Sequence, residues 1–304
     1  MAVRQYINYF DVFMDENKNS LKPSSDFHEI LSHENCIEWI KSIYPDRIKG
    51  VALVIHGLNL RPDKMKPIIA LLTHSCIDVL NLSLRGHGKN YAQTASADAS
   101  KARLKTFKNV SYKLWIKETY RAYGLAGKRS REKQVPLFLI GFSLGGLMGA
   151  TLLASYPDVY FNRMVLLAPA ICIHKIYFLA KLLLPFPRLV IPSLLMGSYC
   201  SNRGTPMAAY NALFEGIEHF NKNMAQKLNV PTVIFIDKQD ELVSYRRLKR
   251  TIRNRRLHQW KLYPVKRYTK GTKEKMKHLI IDESSIGKEA WNEMREHIIH
   301  HLIP

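Results

Sequence analysis

The sequence has little cysteine and no apolar leader, and both absences restrict the kinds of protein it can be. Its four cysteines, Cys36, Cys76, Cys172 and Cys200, are scattered and form no CxxC pair. Neither a zinc cage nor a disulfide framework is therefore predicted, and no metal or other cofactor is expected. Charged residues from Arg4 onward interrupt the N-terminal segment, which argues against a signal peptide. A reducing, cytoplasmic setting is the expectation.

Acidic residues are scarce, and the resulting positive charge is unevenly placed. The chain has 25 Asp and Glu against 46 Lys and Arg, a formal net charge of +21. Residues 241–277 contain 14 of those cations and only two acids. Such a segment attracts polyanions, either nucleic acid or an anionic membrane surface, although a simple solvated basic face remains open. Because residues 246–256 lack interleaved aromatics and no recognition motif is present, no specific nucleic-acid partner is expected. The oligomeric state is left open.

No apolar run is long and uninterrupted enough to predict a membrane span. The nearest candidate follows Ala170, but Lys181, Arg188 and prolines 185, 187 and 192 interrupt it. We expect a pair of short helices there instead. Two interpretations stay open, a lid with an apolar underside or an ordinary insertion with its own core contacts.

Short apolar segments alternate with longer amphipathic ones along most of the chain. The predicted strands are residues 51–57, 77–84, 136–142, 163–170, 232–237 and 258–265. The predicted helices are residues 65–74, 109–127, the segment after Ser143, 244–256 and the C-terminal segment, in which residues 286, 290, 294, 298 and 302 are apolar. Most strands are apolar on both faces, as in a parallel sheet covered on both sides. The alternation predicts an α/β fold with a doubly wound, mostly parallel sheet.

One strand ends in a Gly-x-Ser-x-Gly turn that leads directly into a helix. The stretch LFLIGFSLGGLMGATLLASYP contains Gly141, Ser143 and Gly145 at this corner. A sharp turn of this kind projects the serine hydroxyl above the sheet, and glycines are needed because side chains would collide there. The following helix directs its partly positive N-terminus to the same place. Ser143 is therefore predicted to be a nucleophile.

An acid and a histidine follow the serine in the order expected on this scaffold. The segment TVIFIDKQDELV offers two candidate acids, Asp237 and Asp240, and KMKHLIIDE offers His278 as the base. His278 would take the proton of Ser143, and the carboxylate would orient its ring. Among the other histidines, residue 258 is expected to be structural, and residues 297, 300 and 301 are expected to be surface or capping residues.

The strand ending at His56 and Gly57 supplies a second part of the predicted site. Gly57 allows the backbone to bend, so that the N–H groups of Leu58 and Leu144 can point at a developing negative charge. Two such donors typically contribute a few kcal/mol to the rate. The sequence thus predicts an oxyanion hole formed by these two amides.

These motifs resemble the α/β-hydrolase superfamily, in particular its monoacylglycerol lipase and lysophospholipase-like, serine aminopeptidase-type branch. The resemblance covers most of the chain from about residue 36 and rests on VALVIHG, LRGHGKN, GFSLGG, LLAPA, Asp240 to Val243, and His278 followed by Glu283. That branch often has Gly where this chain has Asp237, so the resemblance favours Asp240 as the acid, and its place in the predicted loop instead of the strand favours it too. It also implies a core of residues 1–170 and 230–304, with a helical cap, residues 171–229, inserted after the sixth strand of the family's sheet.

The resemblance implies a serine hydrolase that cleaves a lipid-like carboxylic ester through an acyl-enzyme on Ser143. Lysophospholipase, monoacylglycerol lipase and carboxylesterase activities are all compatible with it, and an apolar cap implies an acyl chain beneath it. The chain departs from the family pattern at Ser83, at Asn90 and at Leu58-Asn59, which affects the expected substrate. The alternatives are a thioesterase, an aminopeptidase using Glu215 or Glu218, or a non-catalytic protein with a basic binding surface. Peripheral contact with an anionic membrane is expected from the basic segment.

Overall fold

A computed structural model of the chain describes residues 36–92, 98–193, 197–224, 226–267 and 276–304. These residues belong to a single compact unit that begins at residue 35. The N-terminal segment considered for a signal peptide and residues 268–275 of the basic segment lie outside the described residues.

The described core is built on a seven-stranded sheet. Its strands lie in the order β1-β3-β2-β4-β5-β8-β9, and every neighbouring pair is parallel except β1 with β3. The strands are β1 (Ile37–Ile40), β2 (Gly50–Ile55), β3 (Ile77–Leu82), β4 (Leu137–Phe142), β5 (Arg163–Leu167), β8 (Thr232–Ile236) and β9 (Trp260–Pro264). All six predicted strands are present. The short, half-exposed edge strand β1 has no counterpart among the predictions.

The parallel register brings the carboxyl ends of the central strands to one edge of the sheet. Ile55 of β2 pairs with Gly141 of β4, and Leu167 of β5 pairs with both Phe142 and Phe235. Every residue of β2, β3 and β4 is buried, which explains why the β2 and β4 segments are apolar on both faces. Loops that leave this edge therefore meet above the middle of the sheet.

Eight α-helices are found among the described residues, most of them flanking the sheet. They are α1 (Lys66–His74), α2 (Ala99–Phe107), α3 (Tyr112–Lys133), α4 (Leu144–Ser155), α5 (Met207–Lys222), α6 (Tyr245–Asn254), α7 (Glu283–Ile286) and α8 (Lys288–Leu302). Two hydrophobic clusters pack on the sheet, one including α3 and α4 and the other including α1 and α8. The predicted C-terminal apolar stripe is buried throughout. The doubly wound α/β fold is confirmed.

The segment predicted to form a cap follows β5, the fifth strand of the described part of the chain. It contains a 3₁₀ helix (Lys175–Leu183), a two-stranded sheet of β6 (Val190–Pro192) and β7 (Gly204–Pro206), and then α5. Within the apolar run after Ala170, the predicted pair of short helices is thus replaced by one 3₁₀ helix and the short strand β6, and the 16-residue helix α5 lies beyond that run. Across the described residues, no helix combines the length and apolarity needed to cross a membrane.

Candidate active site

Ser143 lies on a strained turn between β4 and α4. Its backbone has φ 49° and ψ −110°, a left-handed conformation that costs energy for a residue with a side chain. The turn is held because the Ser143 N–H donates to Leu167 (2.9 Å) and its carbonyl accepts from Ala170 (3.0 Å). A Cβ at Gly145 would lie 2.1 Å from the carbonyl oxygen of Ile55. Only glycine therefore allows α4 to approach β2 this closely.

A hydrogen-bonded chain connects the three side chains that the sequence singled out. The Nε2 atom of His278 lies 2.8 Å from the Oγ of Ser143, and its Nδ1 lies 2.8 Å from the Oδ2 of Asp240. All three residues are buried. The ring of Phe142 packs beside His278, with ring centroids 5.3 Å apart. The structure thus brings together residues that are 135 and 38 positions apart in the chain.

The two candidate aspartates have different partners. The second carboxylate oxygen of Asp240 accepts from the N–H groups of Leu242 and Val243, both at 2.8 Å, which fixes the carboxylate toward His278. Asp237 instead accepts from the N–H of Gln239 and lies 3.7 Å from the guanidinium of Arg267. The structure places Asp240, and not Asp237, against the imidazole.

The loop that carries His278 is anchored by two charged residues that the sequence analysis did not single out. The carboxylate of Glu241 accepts from the N–H groups of Lys277 (3.0 Å) and His278 (3.1 Å). The guanidinium of Arg267 donates to the carbonyls of Met276 and Leu279. Their only sequence signal is their proximity to Asp240 and His278, which is too general to identify them.

The two predicted oxyanion-hole amides belong to segments at the same edge of the sheet as the nucleophile turn. Leu144 is the first residue of α4, where N–H groups have no partner within the helix. Leu58 follows β2 at the same edge of the sheet. Neither N–H donates a hydrogen bond to another described residue. Both amides are therefore available to a substrate oxygen.

A buried polar network underlies the loop that follows β3. Glu118 of α3 accepts from the N–H of Arg85 (2.8 Å) and from the Nδ2 of Asn90 (2.9 Å), and Asn90 also donates to the carbonyl of Ser83. Burial raises the pKa of Glu118 to about 7. Two departures from the family pattern, Ser83 and Asn90, are therefore bonded to each other. Glu118 is one of several charged residues in helix α3, so no sequence signal indicated that it binds this loop.

The remaining predicted residues lie outside the hydrogen-bonded chain. Glu215 accepts from Asn211, and Glu218 pairs with Lys181. Residues 258 and 300 are exposed and residue 297 is half-buried. His301, expected at the surface, is also half-buried, and burial lowers its pKa to about 4. In the described part of the chain no group of His, Cys, Asp and Glu side chains could hold a metal ion.

Comparisons with known proteins bear on the family and the fold of the chain. The sequence model of the family described as "Serine aminopeptidase, S33" matches residues 46–204, just over half of the chain. None of the curated protein sequences compared with the chain matches it.

Many solved structures share the fold. A soluble variant of monoglyceride lipase from Saccharomyces cerevisiae has a TM-score of 0.68 at 14% identity, over 88% of this chain and 89% of that one. The monoacylglycerol lipase of Paleococcus ferrophilus has a TM-score of 0.59 at 16% identity, over 88% and 97%. A carboxyl esterase from Bacillus coagulans has a TM-score of 0.61 at 13% identity, over 87% of this chain and 92% of that one. At these identities the likeness shows the α/β-hydrolase fold. Together with the family match, it establishes that the chain belongs to the serine aminopeptidase S33 family and is a serine hydrolase.

Proposed function

We propose that the protein hydrolyses a carboxylic ester of a lipid-like substrate, with Ser143 as the nucleophile. The observation that carries the proposal is the continuous hydrogen-bonded chain from Asp240 through His278 to Ser143, at 2.8 Å for each link. A serine hydroxyl is a poor nucleophile until a base removes its proton, and this geometry supplies that base.

The proposed reaction has two halves that reuse the same groups. The Oγ of Ser143 attacks the ester carbonyl while the Nε2 of His278 takes its proton, and the amides of Leu58 and Leu144 stabilise the oxyanion. Collapse of the tetrahedral intermediate breaks the ester C–O bond, and His278 gives its proton to the departing alcohol. Water then attacks the acyl-enzyme, His278 accepts its proton, and the carboxylic acid leaves as Ser143 regains its hydrogen. Asp240 keeps the ring oriented throughout.

Apolar residues near the start of the predicted cap support a lipid-like substrate. In a 3₁₀ helix, residues three positions apart lie on one line. The residues at 176, 179 and 182 of the 3₁₀ helix are Ile, Leu and Leu, and all three are exposed, as are Phe186 and Leu189 beyond it. These residues are exposed to solvent, so the apolar residues of the predicted cap are not confined to its underside. They form the outer apolar stripe, a surface that an acyl chain or a bilayer can cover.

We also propose that this stripe and helix α6 together contact an anionic membrane surface. Of the residues of α6, only Leu248 is buried, and Arg246, Lys249, Arg250 and Arg253 are exposed. The guanidinium of Arg247 donates to the carbonyl of Ile173, and His174 donates to the carbonyl of Leu242 (2.9 Å). The cationic helix is therefore bonded to the segment from which the apolar stripe begins. An apolar stripe beside fixed positive charge is complementary to anionic lipid.

The experiment that tests the esterase proposal is fluorophosphonate labelling of the wild type and of Ser143→Ala. We expect the wild type to be labelled and Ser143→Ala to lose labelling and ester hydrolysis. Ser75→Ala is the matched control, because Ser75 lies at the end of α1 and bonds only to that helix through its hydroxyl. Labelling that persists in Ser143→Ala would remove Ser143 as the nucleophile. Esters of graded chain length then locate the preferred acyl group.

The family description favours an aminopeptidase as a second candidate function. A free substrate amine would require an unpaired carboxylate at the site, whereas Glu218 pairs with Lys181 and Glu215 bonds to Asn211. Parallel assays with p-nitrophenyl esters and aminoacyl arylamides separate the two functions. Faster turnover of the arylamides would replace the esterase proposal.

A further inference from the structure

Asn59 follows the proposed oxyanion donor Leu58 and has an unusual backbone conformation. Its φ is +54°, and it is 2% exposed. Among residues with side chains, Asn is one of the few that adopt this left-handed conformation readily. The Leu58-Asn59 pair is also one of the places where the chain departs from its family pattern. The side-chain amide of a buried Asn needs hydrogen-bond partners, and the identity of these partners shows which segments the turn connects.

Both the backbone and the side chain of Asn59 are hydrogen-bonded. Its N–H donates to the Nε2 of His87 (2.9 Å), and its carbonyl accepts from the N–H of Ser201 (2.8 Å). Its Nδ2 donates to the carbonyl of Asn202 (2.9 Å), while its Oδ1 accepts from the N–H of Asn202 (2.9 Å). The side chain thus pairs with the backbone of residue 202 in both directions, as a neighbouring strand would.

Two of the partners of Asn59, Asn202 and His87, are connected to each other through the loop that contains Gly86 and His87. The Nδ2 of Asn202 donates to the carbonyl of Gly86 (2.9 Å), and the Nδ1 of His87 bonds to the carbonyl of Leu84 (3.1 Å). Burial holds the pKa of His87 well below its usual value, so its Nε2 remains an acceptor for Asn59. A closed circuit therefore runs by hydrogen bonds from residue 59 to residue 202 and on to residue 86, by the peptide bond to residue 87, and by a hydrogen bond back to residue 59.

We propose that Asn59 is a positioning residue that aims the N–H of Leu58 at the oxyanion and couples this amide to residues 199–203. The proposal rests on the proposed esterase function. The Leu58 N–H lies in the peptide that precedes the Leu58–Asn59 peptide, and the N–H of this second peptide bonds to His87. A shift of residue 59 therefore displaces Leu58 and its amide. Residues 199–203 return from the predicted cap, and Asn59 joins them to the active site. The Leu58 amide is thus held in place before substrate arrives, as electrostatic stabilisation of the transition state requires.

The test compares Asn59→Gly with wild type on a p-nitrophenyl ester. Glycine keeps the left-handed backbone and removes only the three side-chain hydrogen bonds to Asn202. Since loss of one oxyanion donor costs about 10²–10³ in kcat, we expect misalignment to lower kcat by about 10- to 100-fold, with KM changed less than about twofold. The inhibition constant of a trifluoromethyl ketone, which forms an oxyanion on the nucleophile, should rise by a similar factor. A merely structural role would not produce this kcat and inhibitor signature.

Asn162→Ala is the matched control, because Asn162 also bonds a backbone amide through its side chain (Leu137, 2.8 Å) but at the opposite edge of the sheet. It should lower thermal stability and leave kcat unchanged. If Asn59→Gly does not fold, Asn59→Asp tests the same point, since it keeps the acceptor for the Asn202 N–H but loses the donor. A kcat within twofold of wild type in whichever variant folds overturns this proposal, while Ser143→Ala still reports separately on the esterase proposal.

Discussion

At the scale of single residues, the contacts of Asp237 and Asp240 assign them different tasks. Asp240 orients the imidazole of His278, while Asp237 lies beside Arg267, which holds the carbonyls on either side of that histidine. Both residues therefore act on the loop that carries His278. Asp240 contacts the imidazole ring, and Asp237 contacts the arginine that binds the loop backbone. The difference between them is one of chemistry, because only Asp240 can stabilise an imidazolium directly.

We expect Asp240→Asn to lower kcat by roughly 10³- to 10⁴-fold, because an amide cannot stabilise the charged ring and favours the wrong tautomer. Asp237→Asn is the matched variant, with the same loss of charge three positions away, and should lower kcat by less than about tenfold. Steady-state hydrolysis of a p-nitrophenyl ester measures both. A larger loss in Asp237→Asn than in Asp240→Asn would exchange their roles.

At the scale of elements, helix α6 is held by very few buried side chains. Leu248 is its one buried residue, and Ser244 caps its N-terminus by accepting from the N–H of Arg247. A helix with so little buried surface presents nearly all of its cations to solvent. The side chain of Arg247 bonds α6 to the carbonyl of Ile173, two residues before the 3₁₀ helix that carries the start of the outer apolar stripe.

Charge reversal on α6 tests the proposed membrane contact. The triple variant Lys249→Glu, Arg250→Glu and Arg253→Glu should abolish sedimentation with phosphatidylserine vesicles at low salt, since each surface cation contributes about 1 kcal/mol. The matched control is Lys128→Glu, Arg131→Glu and Lys133→Glu. These residues lie in the C-terminal part of α3, near the amino ends of the strands and opposite the site.

Vesicle binding should persist in the control and weaken with added salt in the wild type. Equal loss in both triple variants would mean that net charge, and not this surface, governs binding. Failure of the wild type to sediment at low salt would dismiss the membrane contact altogether.

At the scale of the whole molecule, several ionisable groups are buried with opposite effects on stability. Burial lowers the pKa of His56 to about 4 and holds the pKa of His87 and His301 below their usual value. Burial raises the pKa of Glu118 to about 7. For the histidines the unfolded chain binds protons first, so stability falls as the pH drops: for His56 and His301 from about 6.5 toward 4, and for His87 in the same direction. For Glu118 the folded chain binds the proton first, so its contribution grows as the pH drops from about 7 to 4.5.

Glu118→Gln should therefore make acid destabilisation steeper. We expect the wild type to have a lower free energy of unfolding at pH 5 than at pH 7, because three histidines oppose one glutamate. In Glu118→Gln this difference should grow by about 2 kcal/mol, since the opposing contribution is removed. Urea unfolding of both proteins at the two pH values measures the change. The same pH dependence in both proteins would mean that Glu118 titrates normally.

The fold class and most of the candidate site could be predicted from the order of residues along the chain. Strand segments such as 136–142 are apolar on both faces only when both faces are covered, and Gly145 is compatible with an α4 that nearly touches β2. Ser143 could be singled out because the strand-turn-helix pattern around it is local in the sequence. His278 could be singled out because its position after the serine and the acid can be read along the chain. Two signals separated Asp240 from Asp237, the family resemblance and the place of Asp240 in the loop instead of the strand.

Tertiary structure alone decided which distant groups meet. The edge strand β1, the partners of Glu241 and Arg267, and the circuit through Asn59, Asn202 and His87 depend on contacts between segments up to 143 positions apart. Local sequence patterns encode which face of an element is apolar, but a hydrogen bond between two loops depends on where both loops end. Burial of Glu118 and His301 likewise follows from the packing of whole elements, which no short stretch of sequence specifies.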